Sequence, residues 1–186
     1  RMAGILNEVH NRMSKATESK SVDEWTQNTL YWVADAYAQL NDLVNAEKIY
    51  KEFVLRAPQS PLVPYALEGL GSAMSAQGPT RDQEAIIALQ QAQLRARDLN
   101  NKEFAEQVEL ELAKVQYNGR DFAKAAATWD HLVNVSTQTA IRAEAMYREG
   151  DALARQEFYQ EAIKKWKVLA RTFKGSPWVA EALMRI

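Results

Sequence analysis

The chain carries two histidines, His10 and His131, the side chains best suited to proton transfer near neutrality and to metal ligation. They lie far apart in sequence, and neither has a partner at ligand spacing. Each reads as an ordinary surface or groove histidine, and no metal or cofactor is expected. Gly69-Leu70-Gly71 has the look of a phosphate-binding loop, but it lacks the preceding strand and the later glycine. It falls inside a helical stretch, so its glycines read as helix-packing residues. No Gly-x-Ser-x-Gly elbow is present, and a chain without cysteine has no thiolate nucleophile, disulfide or cysteine-ligated metal. Paired acid/base work needs one carboxylate held in an apolar pocket. Glu106, Glu109 and Glu111 instead read as solvent-facing, and nothing singles out a pair. Trp129 and Trp166 read as core, Trp32 falls at a helix-packing spacing, and Trp25 and Trp178 sit near helix starts. No residue is assigned a catalytic role, and the expectation is a protein that is not an enzyme.

The elements that hold these residues follow from a phrase that returns four times, an alanine and, four positions on, a bulky apolar residue. It reads Ala46–Tyr50, Ala85–Leu89, Ala125–Trp129 and Ala162–Trp166, at spacings of 39, 40 and 37 residues. A period of this length marks a stacked repeat. Apolar residues recur at three-and-four spacing nearly throughout, and strand-type alternation is absent, so the fold class is all-α. Val44, Ile49, Phe53 and Val54 are expected to share a face with Ala46 and Tyr50. Helices are predicted over 3–17, 22–40, 42–56, 61–77, 81–98, 101–118, 121–135, 138–155, 158–173 and 177–186, with neighbours antiparallel because their connections are short. Ser21–Glu24 and Thr80–Gln83 have capping-box spacing. Ser60-Pro61 and Ser176-Pro177 place serine at a cap and proline at the first helical position.

Net charge is −1 with both signs interspersed, which argues against nucleic acid as a partner. No apolar run approaches the length that spans a bilayer, so direct membrane insertion is not expected. The chain opens on Arg1 and closes on Ile186 in mid-pattern, which reads as a piece of a longer protein.

Two helices per repeat, with alanine early in the second, resemble the tetratricopeptide repeat, whose pattern runs W-x2-L-G-x2-Y, then A-x3-F, then P. Leu30, Val33, Ala34, Tyr37, Ala46, Tyr50 and Pro58 follow it in the first repeat. Leu67, Leu70, Gly71, Met74, Ala85 and Leu89 follow it in the second, with a longer turn at 78–82. Phe122, Ala125, Trp129 and Leu132 carry the third, whose first helix has Val108, Leu112 and Val115 as one register. Met146, Glu149, Gly150, Leu153, Ala162 and Trp166 carry the fourth. The resemblance implies one antiparallel helix-pair solenoid, a right-handed superhelix. Its parts are a trailing helix over 1–20, repeats over 21–60, 61–99, 100–136 and 137–176, and the start of another over 177–186. Tyr50-Lys-Glu-Phe53 with Ala57-Pro58-Gln-Ser60-Pro61, and Arg171-Thr-Phe173-Lys-Gly-Ser-Pro177 with Ala180-Glu-Ala-Leu183, resemble bacterial envelope proteins of this class, of the BamD-like and CpoB-like kinds. That narrower likeness implies a periplasmic or envelope-associated adaptor, with the cytoplasm as the alternative.

In this family the first helices of the repeats line a groove. The corresponding positions are Asn28, Tyr31, Asp35 and Gln39 in the first repeat, Tyr65, Glu68 and Ser72 in the second, and Glu144, Tyr147, Asp151 and Arg155 in the fourth. Tyr31/Asp35 and Tyr147/Asp151 repeat one pair at a helical turn's spacing. A ring beside a carboxylate can hold an extended peptide, the ring giving area at low entropy cost and the carboxylate choosing a donor or basic side chain. Alanine at both tyrosines is expected to abolish partner capture and leave helicity intact. Tyr31 and Asp35 stand where chaperone-binding members carry lysine and asparagine, so a chaperone-tail receptor is not expected. The implied function is protein or peptide binding. The alternative is a structural scaffold or self-assembly element of a multi-subunit complex, joining copies of itself or a neighbouring subunit through convex or terminal surfaces, since the terminal helices lack stacking neighbours.

Overall fold

The computed structural model describes residue 4, residues 8–11 and residues 24–186. Among these, every regular element is helical. The helices are α1 (Glu24–Gln39), α2 (Leu43–Arg56), α3 (Val63–Ala76), a 3-10 turn (Pro79–Arg81), α4 (Asp82–Asp98), α5 (Lys102–Asn118), α6 (Phe122–Val135), α7 (Thr139–Arg155), α8 (Tyr159–Thr172) and α9 (Trp178–Arg185). The chain falls into two compact units, Arg1–Asn100 and Asn101–Ile186. In the first, α1 packs on α2, α2 on α3 and α3 on α4, and α1 also reaches α3. In the second, α5 to α9 pack in the same serial way, with α5 against α7 and α7 against α9.

The same turn closes the first helix of three pairs. Asn41, Arg120 and Glu157 adopt left-handed φ of 58°, 64° and 67°. The next amide then bonds back across the helix end: Asp42 to the Tyr37 carbonyl, Asp121 to Gln116 and Phe158 to Leu153, at 2.9, 2.9 and 3.0 Å. This satisfies carbonyls that a helix end leaves orphaned. Asp42 and Asp121 then cap the following helices, accepting from the amides of Asn45 and Lys124 at 3.3 and 3.2 Å.

The caps differ from expectation elsewhere. Thr80 heads no capping box. Residues 79–81 form the 3-10 turn and α4 begins at Asp82 with no side-chain cap. Arg81 there forks onto Glu84 and Glu47. Ser60 and Ser176 accept from the amides of Leu62 and Trp178, at 3.2 and 3.3 Å. These are turns two residues long, and α3 starts at Val63, later than Pro61. Ser21 and the opening helix over 3–17 lie outside the described residues, apart from residues 4 and 8–11.

The repeated alanines Ala46, Ala85, Ala125 and Ala162 are wholly buried, and so are their partners Tyr50, Leu89, Trp129 and Trp166. Their facing helices approach closely. A methyl group on Gly71 would lie 2.7 Å from Leu89 Cγ, and one on Gly150 would lie 2.4 Å from Trp166 Nε1. Gly69 meets Tyr50 in the same way. Both glycines of Gly69-Leu70-Gly71 are therefore packing residues. Val108, Leu112 and Val115 are buried, the register offered for α5.

Four residues depart from the sequence reading. Val44 is 68% exposed, because it sits about 200° around the helix from Ala46 at 100° per residue. The buried stripe of α2 is Ala46, Ile49, Tyr50 and Phe53. Trp32 is 59% exposed, edge-on to Tyr31. Glu106 and Glu109 are buried, not solvent-facing. Ser136 Oγ and Gln138 Nε2 donate to Glu106 at 2.6 and 3.1 Å, and His131 Nδ1 lies 2.6 Å from Glu109. These partners, on α6 and the turn after it, offset the cost of burial at Glu109 and at Glu106 Oε2, while Glu106 Oε1 is buried without a hydrogen bond among the described residues.

Candidate peptide-binding face

The positions singled out in the first unit converge. Tyr31 and Asp35 lie one turn apart on α1, and Glu68 projects from α3, which α1 touches. Tyr31 is half-buried, tilted against the rings of Tyr50 and Phe53 at centroid distances of 6.2 and 6.0 Å. Gln39 Nε2 donates to Asp35 Oδ2 at 2.7 Å, and Ser72 Oγ donates to Glu68 Oε1 at 2.9 Å. Burial raises the Tyr31 phenol above its usual acidity range, and the charges of Asp35 and Glu68 raise it further, followed by Tyr65. Residues on α1 and α3 thus share one electrostatic neighbourhood. Asn28 lies on the same helix as Tyr31, partly exposed.

Tyr50 forms the floor of this patch. By sequence alone it is only the large residue of the repeat. It is 2% exposed, and its phenol is pushed up by burial first, then by Asp35, Tyr31 and Glu68. The signal available in sequence was its type: a phenol stands where two of the other repeats carry tryptophan and one leucine.

The second unit treats the matching residues differently. Tyr147 is 8% exposed and stacked on Trp178 of α9, with centroids 5.1 Å apart and planes at 23°. The Arg148 guanidinium lies 5.1 Å from that indole. Asp151 accepts from the Tyr117 hydroxyl and pairs with Arg185 at 3.0 Å. Arg155 Nε donates to the Tyr117 hydroxyl at 3.0 Å. Glu144 accepts from Arg148 at 2.7 Å and pairs with Lys114 at 3.3 Å. In this unit the chain's own cations and rings already occupy the Tyr/Asp pair. Alanine at Tyr147 would therefore open a cavity, contrary to the expectation that it spares the fold.

The histidines are not isolated surface groups. His10 is buried with Nε2 2.8 Å from Glu52, and His131 joins Glu109 as above. No three His, Cys, Asp or Glu side chains among the described residues gather where they could share a metal ion. No helix among the described residues is long and apolar enough to cross a membrane.

Residues 28–60, which span α1 and α2, match the family model of the tetratricopeptide repeat. No curated protein matches the chain significantly in sequence. Solved structures share its fold. The nearly identical TPR-like repeats of a Podosopora anserina protein superpose with a TM-score of 0.72 at 14% identity, covering 94% of this chain and 91% of that one. BtubC from P. vanneervenii gives 0.72 at 13% identity, over 91% and 74%. A tetratricopeptide repeat protein from Parabacteroides merdae gives 0.68 at 19% identity, over 86% and 58%. At these identities the likeness concerns the fold, which is the helix-pair repeat expected from the period.

Proposed function

We propose that the chain is a non-enzymatic protein-binding module that holds an extended segment of a partner on the α1/α3 face of its first unit. The observation that carries this reading is the convergence of Tyr31, Asp35 and Glu68 from two first-of-pair helices over the Tyr50 ring. A half-buried aromatic beside carboxylates offers area with little rotamer entropy to lose, together with polar selection. The tetratricopeptide repeat at 28–60 includes Tyr31, Asp35 and Tyr50. The test is affinity capture from the native organism, with Tyr31→Ala beside the parent chain and envelope and soluble extracts kept apart. A partner held by the parent and lost by the variant supports the reading, and equal retention overturns it. The same experiment addresses compartment. The runs at 50–67 and 171–183 support a periplasmic or envelope-associated adaptor, which recovery of the partner from the envelope extract would bear out.

One observation favours a scaffold as the second reading. Leu183 and Met184 on α9, with Phe158 and Tyr159 at the start of α8, are exposed apolar side chains. Stacking of another copy on these helices would cover apolar surface. Sedimentation velocity over a hundredfold concentration range separates the readings, because self-assembly through this end makes mass rise with concentration.

A further inference from the structure

The first unit carries a cavity that is separate from Tyr31, Asp35 and Glu68. It measures about 360 Å³ and lies in the furrow between α2 and α4, both of which pack on α3. Val54 and Pro58 at the end of α2 form one wall, Val63 and Leu67 of α3 the floor, and Leu94 of α4 the other wall. Val63 and Leu67 are buried, whereas Leu94 is 60% exposed, so the furrow keeps apolar surface open to water. The polar groups of the cavity all come from α4. Gln91, Arg95 and Asp98 line it and are exposed, which puts them at its mouth. Arg95 and Asp98 stand three residues apart, the spacing at which Arg81 pairs with Glu84 and Lys114 with Glu111. They do not pair with each other, and neither side chain has an ion pair or hydrogen bond to any described residue. Arg56 and Arg81 of the same unit, by contrast, are held by Glu52 and by Glu47 with Glu84. A free guanidinium and a free carboxylate thus stand together at the mouth of an apolar cavity.

We propose that this cavity binds a large apolar α-amino acid as its zwitterion, with the side chain between Val54 and Leu94, the α-carboxylate on Arg95 and the α-ammonium on Asp98. Charge complementarity selects this ligand. The mouth offers one charge of each sign on adjacent turns of one helix, and an α-amino acid carries one of each on a single carbon. A guanidinium takes a carboxylate through two parallel donors, and the Gln91 amide can donate or accept one further bond. A doubly charged phosphate would be repelled by Asp98, and a simple cation by Arg95. Volume selects it as well. Small-molecule pockets span roughly 300–1,000 Å³, and this one lies near the lower bound, which suits an amino acid better than a nucleotide. The end of a peptide presents only one of the two charges, which sets a free amino acid apart from a chain terminus. Bound there, the ligand touches α2 of one helix pair and α4 of the next, and so joins two repeats. The inference goes beyond the α1/α3 reading and stands or falls separately from it.

The test titrates L-phenylalanine into the whole 186-residue chain and follows backbone amide shifts. Saturable shifts are expected at residues 54, 63, 67, 91 and 94–98, with half-saturation on the order of 1 mM. Three analogues each remove one feature. L-phenylalaninamide lacks the carboxylate, as the N-terminal residue of a peptide does. N-acetyl-L-phenylalanine lacks the ammonium, as a C-terminal residue does. Each should bind about fivefold more weakly, the scale of one charge-assisted contact. L-alanine keeps both charges and loses the ring, and should bind about tenfold more weakly. Arg95→Gln should weaken phenylalanine about fivefold and abolish its advantage over the amide, and Asp98→Asn should do the same against the N-acetyl form. Both positions are exposed, and circular dichroism matching the parent shows an intact fold. Absence of saturable shifts up to about 20 mM, alanine binding equal to phenylalanine, or an unchanged affinity in folded Arg95→Gln or Asp98→Asn each overturn the assignment. N-acetyl-phenylalanine or phenylalaninamide binding as tightly as the free amino acid would also overturn it, and would give the cavity to a peptide terminus.

Discussion

Gly150→Ala is the substitution on which the packing argument is most exposed. In a helix interior, alanine in place of glycine is worth about 1 kcal/mol of added stability. Against that, the new methyl would stand 2.4 Å from Trp166 Nε1 and 2.8 Å from Cδ1 and Cε2 of the same ring. The indole must retreat by about 1 Å to restore ordinary contact. It is 3% exposed, with Leu169 and Ala162 buried on its own helix, so little free volume receives it. Overpacking of this kind costs about 1–3 kcal/mol. The retreat also breaks the 3.1 Å bond from Trp166 Nε1 to the Tyr147 carbonyl, leaving a buried donor without a partner at a further ~1–3 kcal/mol. The net expectation is a loss of about 3 kcal/mol, or roughly 6–12 °C in Tm for a chain of this size. Urea denaturation followed by far-UV circular dichroism and tryptophan fluorescence measures it. Gly175→Ala is the control, since a methyl there meets nothing within 4 Å. Adding Trp166→Leu to Gly150→Ala should recover part of the loss as a favourable coupling energy. A Gly150→Ala chain as stable as the parent, beside an unperturbed Gly175→Ala, would refute the claim that the repeat glycine exists to admit the large residue facing it.

The remaining expectations concern charge, turns and rings. Glu47 is held at about 2, below its ordinary value of 4.5. Burial pushes it up, but hydrogen bonds from Arg81, Lys51 and Gln77 outweigh that. Its contribution is present above pH 4.5 and lost as the pH falls through about 2. Solvent screening around Arg81 and half-exposed Lys51 limits its worth to about 1 kcal/mol, and Glu47→Gln should flatten acid unfolding over that window by that amount. Glu149 is pushed above the carboxylate range by burial despite Lys165 at 2.5 Å, so Lys165→Met should cost about 3 kcal/mol at pH 7 in urea melts. That penalty should shrink below pH 4.5, where the carboxyl protonates in both states. Glu157→Gly, at a left-handed φ of 67°, should stabilise the chain by about 0.5 kcal/mol in the same assay. Tyr147→Ala should cost about 3 kcal/mol, whereas half-buried Tyr31→Ala should cost about 1 kcal/mol while removing partner binding.

The period of alanine and bulky residue was enough to place helix pairs along the chain, because the spacing within each pair is a local consequence of helical geometry. Ala46 with Tyr50 and Gly150 with Trp166 needed no long-range information to be assigned to helix crossings, since only small residues permit that approach. Turn chemistry was less legible. Asp42 and Asp121 act as caps only once a left-handed Asn41 or Arg120 has turned the backbone, and Thr80 lost its cap to a 3-10 turn whose Arg81 reaches Glu47 on a different helix. The candidate site divided along the same line. The positions of Tyr31/Asp35 and Tyr147/Asp151 look equivalent in sequence because they occupy the same turn of equivalent helices. Their surroundings come from other helices: Trp178 stacks on Tyr147 and Arg185 pairs with Asp151, while Tyr31 keeps part of its ring open beside Glu68 and above Tyr50. Burial of Glu106 and Glu109 was hidden for the same reason, since Ser136 and His131, which hydrogen-bond them, lie 30 and 22 residues away. Periodicity is written in neighbouring residues. Exposure and charge balance are written in what the rest of the chain brings to each face.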